Sequence, residues 1–304
     1  MGYRNVSFFL RRRVGRLRIL MRVGLVLSGG LAKGAYQIGA LRAISEYLRP
    51  EEIEYISSSS VGALNAYAFA SNNLDDGAEM WLGLTPGDEK KPVTKVMKSD
   101  YLKGCTIGLA QKHLVTKKQY VSVFRLKEMD VLYVDVTHKE PDETALFLQA
   151  AVAMPVFSKA VKINGKKYYD GGTIDNIPVF PLIKHELDYI ICIYFDEYNY
   201  SFEQSEFDNK IIKITFNDNE KIMSNSIWFT KEGTEKMMKD GYDRAKEVLD
   251  LVFSEGTDNL PAIYGKIKEL DAMNPDKKLR VTVDVAIHSL NKMMKLISKR
   301  RIVE

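Results

Sequence analysis

The stretch between Arg22 and Ser71 constrains the fold more than any other part of the chain. "VGLVL" (23–27) is a short apolar run that ends abruptly in "SGG", the pattern of a buried strand entering a tight loop. "KGAYQIGALRAISEYL" (33–48) then places Tyr36, Ala40, Leu41, Ile44, Tyr47 and Leu48 at helical spacing. "EYIS" (54–57) is a second short strand, and "VGALNAYAFAS" (61–71) reads as a helix rich in Ala and Leu. A β-loop-α-β-turn-α order of this kind calls for a parallel sheet with helices on its faces.

The rest of the chain extends that pattern. "VLYVDVTH" (131–138), "DYIICIYF" (188–195) and "KIIKITF" (210–216) are strands, and "ETALFLQAAVAM" (143–154) is a helix that Pro155 ends. "AVKINGKKYYDGG" (160–172) is a hairpin turning at Asn164-Gly165. Residues 224–253 form one or two capped helices, and the alternation in "LRVTVDVAI" (279–287) favours a half-buried strand. Within 85–125, "TPGDEKKPVTK" is an exposed loop and the following "MKSDYLKGCTIGLAQKHL" is helical in part; this region is expected to cover the functional site. No linker divides the chain. The expected organisation is a basic N-terminal extension (1–21), a catalytic domain (22–255) and a helical and strand extension (256–304) packed on that same domain.

Charge narrows the function. The net charge is +4, but residues 1–20 hold six arginines and no acid, so the remainder carries 38 basic against 40 acidic residues. A body of that balance is not a nucleic-acid binder. The tail lacks the apolar core of a signal peptide, because Arg11, Arg12 and Arg13 interrupt it, and no uncharged run is long enough to span a membrane. Two readings of the tail stand side by side: a frayed extension, or a segment lying on an anionic membrane. The second basic run, "KLISKRR" (295–301), reads first as a solvated face. Cys105 and Cys192 are far apart and read as buried structural thiols of a reduced compartment, which gives a cytoplasmic expectation, with peripheral contact at the inner membrane surface through residues 1–20 as its membrane-bound form.

Three sites could carry chemistry. "LSGGLAKG" (27–34) ends a strand and opens a helix, where free backbone N–H groups suit an anion or oxyanion. It is not a P-loop, because Ala35 and Tyr36 follow Gly34, and Leu31 breaks the dinucleotide pattern. "ISSSSVGALNA" (56–66) contains Ser58-Ser59-Ser60-Val61-Gly62, a G-x-S-x-G elbow with Ser58 in the first glycine position. There Ser60 is either a nucleophile or, as more often for a serine before a helix, an N-cap. "YYDGGTIDNIP" (168–178) sets Asp170 before two glycines, which is either a plain turn or a carboxylate carried on a loop that can approach another closely. None of His113, His138, His185 or His288 has a setting that suggests a triad, so Asp170 is the candidate base and the sequence offers a Ser–Asp dyad with a glycine loop.

With these motifs in order, the sequence resembles the patatin-like phospholipase family. "GLVLSGGLAKGAYQIGALRAI" (24–44), "ISSSSVGALNA" (56–66) and "AAVAMPVFSKAVKINGKKYYDGGTIDNIPV" (150–179) resemble its oxyanion loop, its nucleophile elbow and the run through its Asp-Gly-Gly, with Pro155 and Phe157 in the family's places. The resemblance implies a three-layer α/β/α fold with a mainly parallel sheet and a serine lipid acyl hydrolase acting on lipid or phospholipid esters. Ser60 would be the nucleophile, Asp170 its base, and the backbone around Gly29, Gly30 and Leu31 the oxyanion hole. Lys33 matches the family's basic loop residue, with either a lipid phosphate or an ion pair as its partner, and Ser58 and Gly62 support the elbow. No metal and no cofactor is implied. Leu31 and Ser58 stand where the family has glycine; they motivate the alternative of a lipid-binding protein without turnover, and acyl transfer to an alcohol would use the same dyad.

Overall fold

In the computed structural model, which describes residues 21–84, 91–92, 95, 100–112, 115, 117–155, 158–196, 198–202, 205–216, 228–280 and 299–304, the strand β1 (Val23–Leu27) is buried along its whole length. Both faces of it are covered. Val23, Leu25 and Leu27 enter one hydrophobic core and Val26 enters another, as the two-residue period of a strand requires. β1 pairs in parallel with β2 (Ile53–Ser58) on one side and with β7 (Tyr189–Tyr194) on the other. The full sheet order is β9 (Ile211–Thr215), β7, β1, β2, β3 (Lys118–Arg125), β4 (Asp130–Asp135) and β11 (Lys299–Val303). The hairpin β5 (Val161–Ile163) and β6 (Lys166–Asp170) joins through β6, antiparallel to β3, and β3–β4 is also antiparallel. The remaining pairs along the path are parallel, so the sheet is mainly parallel and the fold is α/β.

The first core lies under helices α1 (Gly34–Tyr47), α2 (Val61–Ala70), α3 (Leu74–Gly83), α4 (Asp100–Lys112), α5 (Pro141–Ala151), α6 (Lys231–Val252) and α7 (Leu260–Met273). All ten residues of α2 are buried, which explains a helix apolar on every side. α1 and α6 cross at backbone distance. A Cβ on Gly39 would stand 1.8 Å from the Met238 carbonyl oxygen, and one on Gly241 would stand 2.0 Å from that of Tyr36. Ile263 and Ile267 of α7 enter the same core, so this helix packs on the main body. Among the described residues, the opposite face is covered by the segment after β6, with Ile177, Val179, Leu182 and Leu187 on the sheet and a 3-10 turn at Phe180–Leu182.

Most expected elements are present within a few residues of their predicted ends. Asn164 and Gly165 turn the hairpin with φ of 49° and 76°, the left-handed pair a tight hairpin needs. Thr230 caps α6 by accepting the Gly233 N–H at 3.0 Å. One reading needs correction. Residues 118–125, within the stretch taken for loop and partial helix, form the buried strand β3, whose polar side chains find distant partners: Gln119 donates to the Ala63 carbonyl at 3.2 Å and Arg125 pairs with Asp130. Of the basic run at 295–301, the described residues Lys299–Arg301 begin the parallel strand β11 against β4, with Arg301 exposed; charged residues on an outer strand are a common guard against further pairing. The arginine-rich residues 1–20, most of the polar stretch after residue 84, His113, His288, Phe157 and most of the strand expected at 279–287 lie outside the described residues. Among the described residues no helix is long and apolar enough to cross a membrane.

Candidate active site

Strand order gathers the three sequence motifs. β1 and β2 are parallel neighbours with Leu27 level with Ser58, so the glycine loop and the serine turn leave the sheet side by side at their carboxyl ends. β3 follows, with Val121 level with Ser58 and Val123 level with Asp170. Residues 110 apart in sequence therefore reach one place.

Ser60 makes the turn between β2 and α2 with φ 52° and ψ −135°, a left-handed conformation that a serine adopts only under constraint. The constraint is visible on both sides. The Ser59 N–H donates to the Leu27 carbonyl at 3.0 Å, and the Gly62 N–H donates to the Ser59 carbonyl at 2.9 Å. A Cβ on Gly62 would stand 2.6 Å from the Ser28 carbonyl oxygen, so only glycine passes there. Ser60 makes no capping hydrogen bond, against the commoner expectation for its position. Its hydroxyl instead lies near Asp170, whose carboxyl it pulls toward the ionised form. Ser58, standing in a glycine position, is fully buried and donates its hydroxyl to the Tyr120 carbonyl at 3.1 Å, so the turn closes with this extra group satisfied by β3.

Asp170 ends β6 and is 3% exposed. Burial pushes its carboxyl up to about 7, against the opposing pull of the Ser60 hydroxyl and of the hydrogen bond from the Gly172 N–H at 2.8 Å. The next residue threads a narrow gap: a Cβ on Gly171 would stand 2.6 Å from the Ser122 backbone carbon. The Asp-Gly-Gly sequence is thus a carboxylate on a loop pressed against β3.

The glycine loop completes the cluster. A Cβ on Gly29 would stand 2.6 Å from Ser60 Cβ, and one on Gly30 would meet the Phe195 ring at 2.3 Å. Gly29 differs from expectation in one respect. Its N–H donates to the Asn176 carbonyl at 3.2 Å while the Asn176 side-chain amide donates to the Gly29 carbonyl at 3.1 Å, so its own N–H is already engaged. Gly30 and Leu31 stand at the head of a 3-10 turn, Leu31–Lys33, where the first N–H groups have no partner within the turn. Leu31 adopts φ 51°, the left-handed conformation open to the glycine that the family resemblance has there. For leucine this costs roughly 1–2 kcal/mol. Lys33, at the end of the turn, is half-buried; burial lowers its pKa and nearby Asp196 opposes that shift.

A buried amide chain holds the loop from below. Trp81 donates its indole N–H to Asn65 Oδ1 at 2.8 Å; Asn65 donates to the Gly34 carbonyl and to Gln37 Oε1, both at 2.8 Å; Gln37 donates to the Ser28 carbonyl at 2.8 Å. The sequence reading singled out neither Gln37 nor Asn176. The signal available for Asn65 and Gln37 was a buried amide at the helical spacing of apolar neighbours. His185 is engaged elsewhere, stacked on Tyr55 and hydrogen-bonded to the Tyr120 hydroxyl at 3.1 Å, while His138 is exposed. Among the described residues no group of His, Cys, Asp and Glu could hold a metal ion.

Comparison with known proteins follows this geometry. The model of the patatin-like phospholipase family matches residues 25–85 and 115–183. Uncharacterized NTE family proteins of Mycobacterium tuberculosis (strain H37Rv) and Mycobacterium bovis are 25% identical over 183 residues, 57% of this chain and 48% of theirs. The chain thus spans about half the length of these curated relatives. Among solved structures, VipD from Legionella pneumophila is similar with a TM-score of 0.44 and 14% identity, over 76% of this chain and 67% of that one. ExoU of Pseudomonas aeruginosa, in complex with SpcU, is similar with a TM-score of 0.41 and 13% identity, over 84% of this chain and 60% of that one.

Proposed function

The chain belongs to the patatin-like phospholipase family, and from that premise we infer that it is a serine lipid acyl hydrolase working through Ser60 and Asp170. The observation that carries this reading is a serine held at φ 52° on a strand-to-helix turn, uncapped and close enough to a buried carboxyl to pull it toward its ionised form. Nothing in the packing of an ordinary turn requires that strain, and strained backbone is concentrated at reacting groups.

In the proposed reaction the Ser60 hydroxyl attacks the ester carbonyl and passes its proton to Asp170. The tetrahedral oxyanion is met by backbone N–H groups at the head of the 3-10 turn, with Gly30 and Leu31 as donors; Gly29, whose N–H is engaged by Asn176, shapes the loop instead. Collapse expels the alcohol, which takes the proton back from Asp170, and leaves an acyl-Ser60 ester. Asp170 then deprotonates a water, which attacks that ester; collapse releases the fatty acid as the Ser60 oxygen takes the proton back from Asp170. An aspartate is normally too weak a base for this work, and the elevation of Asp170 to about 7 supplies the missing basicity. Lys33 is placed one turn beyond the oxyanion donors, where a phosphate of the lipid head group would give it a counter-charge. A phospholipid substrate also gives the arginine-rich residues 1–20 an anionic surface to lie on. Support for turnover over inert lipid binding comes from the two departures themselves: Ser58 is accommodated by Tyr120, and Leu31 adopts a positive φ, the backbone region that a glycine in its place would favour.

The test separates chemistry from folding. Ser60→Ala is expected to reduce hydrolysis of a chromogenic short-chain ester and of mixed phospholipids to background. Ser60→Gly is expected to be equally inactive but more stable than Ser60→Ala, by about 1 kcal/mol in urea unfolding, because glycine adopts the same backbone without strain. Wild-type turnover in either variant contradicts the assignment of Ser60.

A further inference from the structure

The loop that carries Asp170 also carries a second buried carboxylate with no part in the proposed chemistry. Asp175 is 1% exposed. Its N–H donates to the Gly171 carbonyl at 2.9 Å, and its Oδ2 accepts the Tyr133 hydroxyl at 2.5 Å. Its Oδ1 has no hydrogen bond and faces Arg280 Nη2 at 3.7 Å. Burial raises the Asp175 carboxyl, and Arg280, the Tyr133 hydroxyl and Arg300 act in the opposite direction.

Arg280 comes from beyond residue 255, more than 100 residues after Asp175. It follows the short strand β10 (Lys277–Leu279), which pairs in parallel with β8 (Asn199–Ser201), and its N–H donates to the Ser201 carbonyl at 2.8 Å. Its guanidinium carbon lies 5.3 Å from the Tyr200 ring centre, within cation–π range, and Tyr200 donates its hydroxyl to Asp196 at 2.5 Å. The backbone is therefore held and the guanidinium lies between the Tyr200 ring and Asp175.

What depends on Asp175 is the next residue. Asn176 holds the Gly29 peptide from both sides, through its carbonyl and its side-chain amide. Six residues before Asn176 along the same loop stands Asp170. A buried carboxylate at the centre of that loop stays in place only while its charge is compensated. We propose that Arg280 is a positioning residue for this site: by pairing with Asp175 it fixes the 170–176 loop, and with it both the base Asp170 and the Asn176 clamp on the glycine loop. The proposal rests on the Ser60–Asp170 reading for its catalytic consequence, while its structural consequence stands without it.

Arg280→Met keeps the length of the side chain and removes its charge. Assayed on a chromogenic ester well below its melting midpoint, it is expected to lose at least tenfold in kcat with KM within about twofold. A residue that merely stabilises the fold would lower the midpoint and leave kcat intact. Amide hydrogen exchange across residues 171–176 should quicken at least tenfold in the same variant. Arg280→Lys should recover most of both losses. The double variant Asp175→Asn with Arg280→Met should regain most of the exchange protection, because a buried pair removed together leaves no orphan charge. Should Arg280→Met not fold, Arg280→Gln carries the same two expectations. Wild-type kcat together with wild-type exchange in either neutral variant overturns the proposal. A wild-type protein that neither turns over ester nor reacts at Ser60 contradicts the function proposed above instead, and the exchange measurement then decides the role of Arg280 by itself.

Discussion

Asp170→Asn is expected to lower kcat by roughly 10^3-fold, within the range a positioned general base contributes, and at the same time to make the protein more stable at neutral pH. The two effects share one cause. Burial raises the carboxyl to about 7, against a value near 4 in the unfolded chain. In wild type, kcat/KM should therefore fall about tenfold for each pH step of one below about 7, as the base takes up its proton; the Asn variant should show no such limb. The sign for stability follows from proton counting. Between about pH 4 and about pH 7 the native state holds a proton on Asp170 that the unfolded chain has released, so this group's contribution to stability is fully present below pH 4 and is lost as pH rises through about 7. The Asn variant titrates in neither state. Its stability relative to wild type should grow from pH 4 to pH 8, by up to roughly 4 kcal/mol, set by the three-unit separation of the two values. Urea unfolding at pH 4, 6 and 8 measures it, and a constant difference across that range would contradict a buried, elevated carboxylate.

Gly39→Ala should be as damaging to the fold as Asp170→Asn is to turnover. Alanine is ordinarily the better helix residue by about 1 kcal/mol. At Gly39 the added methyl would stand 1.8 Å from the Met238 carbonyl and 2.6 Å from the Tyr242 amide nitrogen, both of them backbone atoms that cannot rotate away. α1 and α6 must separate to admit it, and α1 leads directly from the glycine loop. The expected loss is about 3 kcal/mol or more in urea unfolding, at or beyond the usual range for overpacking. Gly104 and Gly108 of α4 provide the control, because among the described residues a Cβ at either position meets nothing within 4 Å. There the same change should stabilise by up to about 1 kcal/mol. One substitution with opposite signs on two helices would show that backbone approach, and not helix propensity, decides the outcome.

Local signals carried much of this site into the sequence. An apolar pentapeptide stopped by Ser-Gly-Gly has few structures open to it other than a strand and a tight turn, and Asn164-Gly165 between short apolar-polar runs announces its hairpin. What stayed hidden depends on partners far along the chain. β3 contains Lys118, Gln119, Ser122 and Arg125, and it reads as surface until Ala63 and Asp130 are known to satisfy two of them. Ser58 looked like an obstacle to the turn because the carbonyl that accepts its hydroxyl belongs to Tyr120, 62 residues later. Asn176 takes the Gly29 N–H from 147 residues away, which no spacing rule near the glycine loop could reveal. The proposed reacting groups were thus legible from their own neighbours, whereas the residues that hold them in place became visible only with the fold.

The central claim is that Ser60 is a nucleophile activated by Asp170, and covalent labelling with a fluorophosphonate tests it without any need to know the natural lipid. Intact-mass and peptide mapping of the folded protein should find one adduct, on Ser60, forming faster at pH 8 than at pH 5 and absent from Ser60→Ala. Folded wild-type protein that never labels, or a Ser60→Ala variant that labels as fast as wild type, would contradict it.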